Sequence, residues 1–140
     1  MIEFRFENEF ELENLTEYEH WIEAVISSEG KICGDITYTF CGDVFLDKLN
    51  RHYLDHEDYT DIISFDDSIG AIISGEIFIS TDRVEENAQK YGLPFSEELL
   101  RVMAHGLLHY CGYQDKSVSD KKEMRKKEDE KMELFHVEQS

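Results

Sequence analysis

The chain has no long apolar run. None of its hydrophobic stretches approaches the roughly 20 consecutive apolar residues that a membrane-spanning helix needs. The N-terminal stretch, MIEFRFENEF, carries charges throughout and does not resemble a signal peptide. We therefore expect a cytoplasmic protein with no membrane partner. The 140 residues, 41% of them hydrophobic, are enough for one domain with a substantial core.

Cysteine is also scarce. Cys33, Cys41 and Cys111 are odd in number and widely spaced, and no two of them form a CxxC pair. This pattern argues against a disulfide framework and against a zinc site made of cysteines alone. We expect all three thiols to be reduced and mostly buried, with no disulfide-linked partner.

Basic residues are outnumbered. The chain holds 14 Lys and Arg against 32 Asp and Glu, which gives a net charge of −18. Such acidity is unfavourable for nucleic-acid binding, because phosphate contacts normally come from a basic surface. The stretch 116–138 differs, with seven basic residues against seven acidic ones, and five of its basic residues lie close together: Lys121, Lys122, Arg125, Lys126 and Lys127. They indicate either a solvated helix with internal ion pairs or a contact surface for RNA.

Predicted strands and helices alternate along the chain. Alternating or β-branched apolar residues predict strands at 2–7, 36–40, 60–65 and 75–80. Apolar residues at helical spacing, together with capping signals, predict helices at 15–28, 43–54, 81–91, 94–111 and 119–135. No repeat or linker interrupts this order, which is typical of a single layered α/β-type domain.

The stretch 99–111, LLRVMAHGLLHYC, predicts a helix that is buried on nearly all sides. The polar residues of this stretch, together with Glu98 just before it, follow one another at intervals of three, four and four positions. They therefore lie on one side of the helix as a single stripe: Glu98, Arg101, His105 and His109. A polar stripe on a buried helix needs partners, since an unpaired buried polar group costs roughly 1–3 kcal/mol. A cleft or a metal ion would supply them.

His105 and His109 stand four residues apart, so their side chains lie side by side and can converge on one ion. Gly112 ends the helix and lets the chain turn back, which places Asp115 to supply a third ligand. Two histidines, one carboxylate and an open position are typical of a catalytic zinc site. Cys111 falls on the opposite side of the helix. Gly106 stands where the HExxH metalloproteases carry their glutamate base.

The stretch 105–115, HGLLHYCGYQD, resembles the signature H-G-x-L-H-x-x-G-Y-D-H of the YbeY family of bacterial ribosomal RNA maturation factors. The segments LNRHYL…TDIISFD at 49–66 and GEIFIS at 75–80 are similar to further family segments. The resemblance covers roughly residues 45–130. Two positions depart from the family pattern: Asp115 replaces the third histidine, and Leu54 replaces an arginine suited to binding phosphate, for which Arg51 or Arg101 could substitute.

This resemblance implies an α+β fold: one domain over residues 1–140, with a mostly parallel mixed sheet of about four strands packed with helices and a metal site on a central buried helix. It implies one Zn²⁺ per chain, held by His105, His109 and Asp115. The implied activity is single-strand-specific endoribonuclease cleavage in 3′-end maturation of small-subunit ribosomal RNA and in ribosome quality control. The implied partners are ribosomal RNA and the small ribosomal subunit.

Several residue roles stay open at this point. No general base is identifiable; Glu76 is a candidate, or else a surface residue of its strand. The aromatic residues Phe65, Tyr53 and Tyr113 either stack on unpaired bases or belong to the core. Asp61 and Thr60 are turn residues or support the metal ligands, while His52 and His56 are typical of solvated histidines.

Three other functions are compatible with the sequence. The first is a zinc-stabilised ribosome assembly factor that binds without cutting, which the acidity and Leu54 favour. The second is a metallohydrolase acting on peptides or small molecules, against which the missing glutamate at position 106 speaks. The third is a purely structural zinc site, which would be closed by a fourth protein ligand.

Overall fold

The computed structural model describes residues 1–53 and 60–139, with only the backbone described for 52, 53, 138 and 139. Leu54 and His56 therefore lie outside the described residues, as do the side chains of His52 and Tyr53. Within these ranges the chain forms four strands and five helices, in the order β1 Ile2–Phe6, α1 Leu15–Ser28, β2 Ile32–Cys41, α2 Asp43–Tyr53, β3 Ile62–Asp66, β4 Ile72–Ser80, α3 Thr81–Tyr91, α4 Phe95–Tyr110 and α5 Val118–Gln139.

The strands form one mixed sheet in the order β1-β2-β4-β3. β1 pairs with β2 in parallel, β2 pairs with β4 in parallel, and β3 pairs with β4 in antiparallel orientation. Helices cover both faces: α1, α4 and α5 belong to the main core, while Leu46 of α2 packs with Cys41 and Ile63 on the other face. The predicted α+β domain with a mostly parallel sheet of four strands is confirmed.

Each predicted element is present, and two strands are longer than predicted. β2 begins at Ile32 rather than at 36, and β4 begins at Ile72 rather than at 75. Gly34 and Asp35 hid the start of β2, because Gly and Asp are depleted in strands. Gly34 has a packing role instead: a Cβ there would lie 2.8 Å from Ile72 Cγ2 and 2.9 Å from the carbonyl oxygen of Ile73.

Helix α4 lies between the sheet and the other helices and is buried on nearly every side, as predicted. Gly106 is where it crosses the sheet. A Cβ at this position would lie 3.1 Å from Ile62 Cδ1 and 3.1 Å from Ile77 Cδ1. The glycine thus serves close packing against two isoleucine side chains. Cys111, at the end of α4, packs against the core as expected.

Helix α5 returns across α1 and is held there by buried polar contacts. The indole Nε1 of Trp21 donates to the carbonyl oxygen of Lys131 at 2.8 Å. Lys131 is itself buried, and its Nζ lies 2.7 Å from Glu29 Oε2 and 2.8 Å from Ser28 Oγ. This helix is long but highly charged, and among the described residues no helix combines the length and apolarity of a membrane span.

Candidate metal centre and its cavity

His105 and His109 project from the same side of α4, with their Nε2 atoms 2.9 Å apart. Asp115 approaches the same point from the loop that follows α4, and its Oδ2 lies 3.6 Å from His105 Nε2. One ligand atom from each of the three residues falls within 4.8 Å of the others. The structure therefore brings together the three residues that the sequence predicted to meet, in an arrangement that could hold a metal ion.

The loop that carries Asp115 is fixed by two features. Gly112 adopts a φ of 105°, a region that disfavours side chains, and so reverses the chain at the end of α4. The hydroxyl of Tyr113 then donates to Glu29 Oε1 at 2.7 Å, which ties the loop to the end of α1. Tyr113 is thus a loop anchor whose hydroxyl has a protein partner, rather than a core residue.

Both imidazole rings are oriented through their Nδ1 atoms. His105 Nδ1 lies 2.7 Å from Glu128 Oε2, a carboxylate that is almost fully buried on α5. His109 Nδ1 lies 3.0 Å from the backbone carbonyl oxygen of Tyr113. A carbonyl and a carboxylate only accept hydrogen bonds, so each Nδ1 carries the proton. In the neutral rings the lone pairs are then on the two Nε2 atoms, which face each other.

Two facing lone pairs need a cation or a proton between them. Burial by itself would lower the pKa of His105, but the hydrogen bond to Glu128 and the nearby carboxylates outweigh it and raise that pKa. Burial and the charge on His105 lower the pKa of His109. These opposite shifts make His105 the more basic ring of the pair. Two imidazole nitrogens and a carboxylate oxygen form a donor set that suits zinc, so the residues present fit the implied ion.

The centre lies in the wall of a cavity of about 700 Å³. Asp61 and Ile62, at the start of β3, form one side of this cavity, and residues of α3, α4 and α5 form the others. Three residues of the polar stripe predicted on α4 contribute to the cavity lining: Glu98, Arg101 and His105. The stripe therefore borders a cleft, and Glu128 on α5 is a hydrogen-bond partner of both Arg101 and His105.

Sequence reasoning missed the importance of two carboxylates. Glu128 accepts hydrogen bonds from His105 and, at 2.9 Å, from Arg101 Nη1. Asp61, left open as a turn or supporting residue, lines the cavity, and burial raises the pKa of its carboxyl beside His105. Glu128 belongs to a run of charged residues, EDEK, that gave no signal of burial. Its role follows only from the packing of α5 on α4.

The other candidates lie away from the metal centre. Gly75 and Ile77 face α4, so Glu76 between them points to the opposite face of the sheet and is exposed there. Glu76 is therefore a surface residue of its strand, and it lies on the wrong side of the sheet to act as the general base of this centre. Phe65 packs edge-on against Phe78 at 5.9 Å between ring centres and belongs to the smaller core.

The two arginines suggested as substitutes for the family arginine differ in position. Arg51 pairs with Asp47 on α2, with 3.1 Å between Nε and Oδ2. Arg101 lines the cavity, where it pairs with Glu128 and, at 2.7 Å, with Asp129. Of the two, only Arg101 lies near the centre, and its charge is shared by two carboxylates.

Comparisons with known proteins match the same family as the 105–115 motif. A family model described as Endoribonuclease YbeY matches residues 3–136. The Endoribonuclease YbeY of Flavobacterium johnsoniae is 55% identical over 139 residues, covering 99% of this chain and 100% of the relative. That of Flavobacterium psychrophilum is 54% identical over 140 residues, covering both chains in full.

A solved structure agrees at the level of the fold. The solution structure of TM1509 from Thermotoga maritima matches with a TM-score of 0.65 at 26% identity, covering 99% of this chain and 91% of that chain. The family model and the relatives span almost the whole sequence, and they confirm the resemblance that the 105–115 motif carries. The chain belongs to the endoribonuclease YbeY family.

Proposed function

We propose that this protein is a zinc-dependent, single-strand-specific endoribonuclease that acts in 3′-end maturation of small-subunit ribosomal RNA and in ribosome quality control. The observation that carries the proposal is the convergence of His105, His109 and Asp115 beside a large cavity, which His105 and Asp115 line. Membership of a family whose members are named endoribonucleases supports cleavage of RNA. The proposed partners are ribosomal RNA and the small ribosomal subunit, in the cytoplasm, with residues 1–140 as one domain.

In this proposal His105 Nε2, His109 Nε2 and the Asp115 carboxylate hold one zinc ion. A bound zinc ion supplies Lewis acidity, which activates water and polarises the scissile phosphate. Glu128 and the carbonyl of Tyr113 keep the two rings turned toward it. Asp61 is the proposed proton acceptor, because it lines the cavity and Glu128 is already engaged. Asp61→Asn should lower kcat while zinc content stays unchanged, and an unchanged kcat would remove this role.

Two of the alternative functions find little support in the site. A structural zinc ion needs four protein ligands, whereas the described ranges 1–53 and 60–139 bring three candidate donor groups together. A peptidase of the HExxH type needs a glutamate at position 106, where Gly106 packs against the sheet. The net charge of −18 favours one second candidate, a zinc-stabilised assembly factor that binds ribosomes without cutting RNA.

Metal content is the first measurement. Protein purified without chelator should contain close to one zinc per chain by mass spectrometry, and Asp115→Ala should lose most of it. Asp67→Ala is the matched control, because Asp67 is an exposed aspartate in the β3–β4 connection, away from the cavity. Zinc-free wild type after growth with ample zinc, or equal zinc in Asp115→Ala and wild type, would contradict the ligand assignment.

RNA cleavage separates the enzyme from the assembly factor. Zinc-loaded wild type should cut an unstructured RNA and leave a duplex of the same sequence intact. His109→Ala should abolish the cleavage, whereas His20→Ala, which removes an exposed histidine of α1, should not. Circular dichroism would establish that both variants fold. Wild type that carries zinc but cuts no RNA would favour the assembly factor.

A further inference from the structure

The five clustered basic residues of α5 do not share one environment. Lys121, Lys122 and Arg125 line the cavity that contains the metal centre. Lys127 turns to another side, where its Nζ lies 3.3 Å from Glu130 Oε2 and 5.8 Å from the ring centre of Tyr113. Lys126 is exposed and does not contribute to the described cavity lining. The structure thus divides a cluster that looked uniform in the sequence.

The cavity-lining lysines are available to a ligand. Within the described part of the chain, neither Lys121 nor Lys122 has a carboxylate within ion-pair distance, although acidic residues outnumber basic ones more than two to one overall. Arg125 is 62% exposed and lies 3.8 Å from Glu128 Oε1, at the outer limit of an ion pair. Three cationic side chains are therefore held at the cavity with little local neutralisation.

An aromatic side chain stands on the facing side. Tyr91, the last residue of α3, lines the same cavity and is 59% exposed. The Nζ of Lys90, an exposed side chain, lies 5.5 Å from the centre of this ring. A tyrosine this exposed at the mouth of a cleft offers a ring face on which a base can stack. Asn87, one turn earlier on α3, adds an amide to the same wall.

The charge of the cavity depends on the metal. Among the described lining residues, four carboxylates face four cationic side chains: Asp61, Glu98, Asp115 and Glu128 against Arg101, Lys121, Lys122 and Arg125. A divalent ion at the centre makes this balance positive in a chain of net charge −18. With such an ion bound, the lining of this cavity attracts a polyanion although the protein as a whole is acidic.

We infer that single-stranded RNA enters the centre across the α3–α5 cleft, with its phosphates on Lys121, Lys122 and Arg125 and one base stacked on Tyr91. This inference rests on the proposed function and extends it from the metal ligands to the strand-binding surface. At position 54, where the family carries an arginine suited to binding phosphate, this chain has Leu54. In this inference, phosphate contacts from α5 take over that role. A single strand fits this arrangement because its bases are free to stack.

Binding of an RNA that resists cleavage tests the inference. The probe is a fluorescent, unstructured 2′-O-methyl RNA of about 12 nucleotides, measured by anisotropy with zinc-loaded protein at several salt concentrations. Lys122→Ala should weaken binding several-fold and reduce the slope of log K against log salt by about 0.7, as expected for one lost phosphate contact on a single strand. Lys126→Ala, with the same charge change one turn along α5, should alter neither quantity.

Tyr91 requires a separate pair of variants. Tyr91→Ala should weaken binding roughly tenfold with the salt slope unchanged, and Tyr91→Phe should restore it, because stacking needs the ring and not the hydroxyl. Equal effects of Lys122→Ala and Lys126→Ala would overturn the inference, as would wild type that does not bind the probe. If wild type binds the probe as described but does not cut unmodified RNA, the inferred binding surface stands and the nuclease proposal is refuted instead.

Discussion

His105 Nδ1 lies 2.7 Å from Glu128 Oε2, so a carboxylate of α5 orients a histidine of α4 that precedes it by 23 residues. Glu128 is 5% exposed and also accepts from Arg101. A carboxylate behind a metal-binding histidine sets the tautomer and raises the basicity of the ring. The candidate metal centre is therefore a joint product of two helices, although its three donor residues come from one short stretch of sequence.

Replacement of Glu128 by Gln should weaken zinc binding by roughly 10–100-fold, the usual loss when the partner of a metal-binding histidine is removed. Competition with a chromogenic chelator measures this directly. Asp129→Asn is the matched control, because Asp129 also pairs with Arg101 but does not touch His105. A zinc affinity that is equal in the two variants would show that the Glu128–His105 contact does not support the centre.

Glu29 should make the stability of the protein depend on pH. Burial alone would raise its pKa, but the hydrogen bonds from Lys131 and Tyr113 outweigh it and lower the pKa below its ordinary value. A carboxyl with a lowered folded-state pKa stabilises the fold above its unfolded pKa, and this stability is lost as pH falls through the folded pKa. Glu29→Gln should cost roughly 2–3 kcal/mol at pH 7, and urea unfolding should show the difference shrinking below about pH 4.5.

Glu130→Gln is the control for this pH effect, since Glu130 pairs with the same Lys131 but is about half exposed. Exposed ion pairs contribute about 0–1 kcal/mol, so this variant should unfold almost like wild type. If the free energy of unfolding of Glu29→Gln stays below that of wild type by the same amount down to pH 3, the loss comes from altered packing and not from the lost charge.

Gly106→Ala should destabilise the protein, although alanine is the better helix former by about 1 kcal/mol. The added Cβ would lie 3.1 Å from both Ile62 Cδ1 and Ile77 Cδ1, and overpacking of this kind costs about 1–3 kcal/mol. Ile77→Val removes one of these two methyl groups. In a double-mutant cycle followed by urea unfolding, Gly106→Ala should therefore cost less in the Ile77→Val background, and a purely additive result would argue against the clash.

Gly112→Ala should separate fold stability from metal binding. Gly112 has a φ of 105° and no atom that would obstruct a Cβ, so the substitution strains the backbone alone, at a cost of about 1–3 kcal/mol. Gly92→Ala also places an alanine at a positive φ, 66° at the end of α3, but within the left-handed region that side chains tolerate at some cost. Both variants should lose stability in thermal unfolding, Gly92→Ala the less. Only Gly112→Ala should also lose zinc affinity, because only Gly112 directs the loop to Asp115; equal affinities would contradict this.

Much of this molecule was predictable from short stretches of sequence. The helix over 15–28 was predicted with its observed bounds, because apolar spacing is a local property. The pairing of His105 with His109 followed from helix geometry, since side chains four residues apart share a face. The approach of Asp115 followed from Gly112, whose positive φ reverses the chain within three residues. Each of these features depends on neighbours in the chain.

Residues brought together from separate elements were beyond such reasoning. Nothing in the charged run of α5 distinguishes Glu128, buried behind His105, from Asp129, which is exposed. Glu76 was a candidate base from the sequence, but the pleat of β4 places its side chain on the face of the sheet away from the metal centre. Which face of a strand or helix meets which partner depends on register and packing, and these are set by the whole core.

The sequence by itself indicated the helices and strands of this protein, its family and the three candidate metal ligands, because these depend on local spacing and on one short motif. Only the tertiary structure decided what surrounds the donors: that Glu128 orients His105, that Asp61 joins the cavity, and that Lys122 faces it while Lys126 does not. The physical reason is that α5 packs across α4 through contacts distant in sequence. Packing, and not periodicity, selects which charges of a uniformly charged helix reach the site.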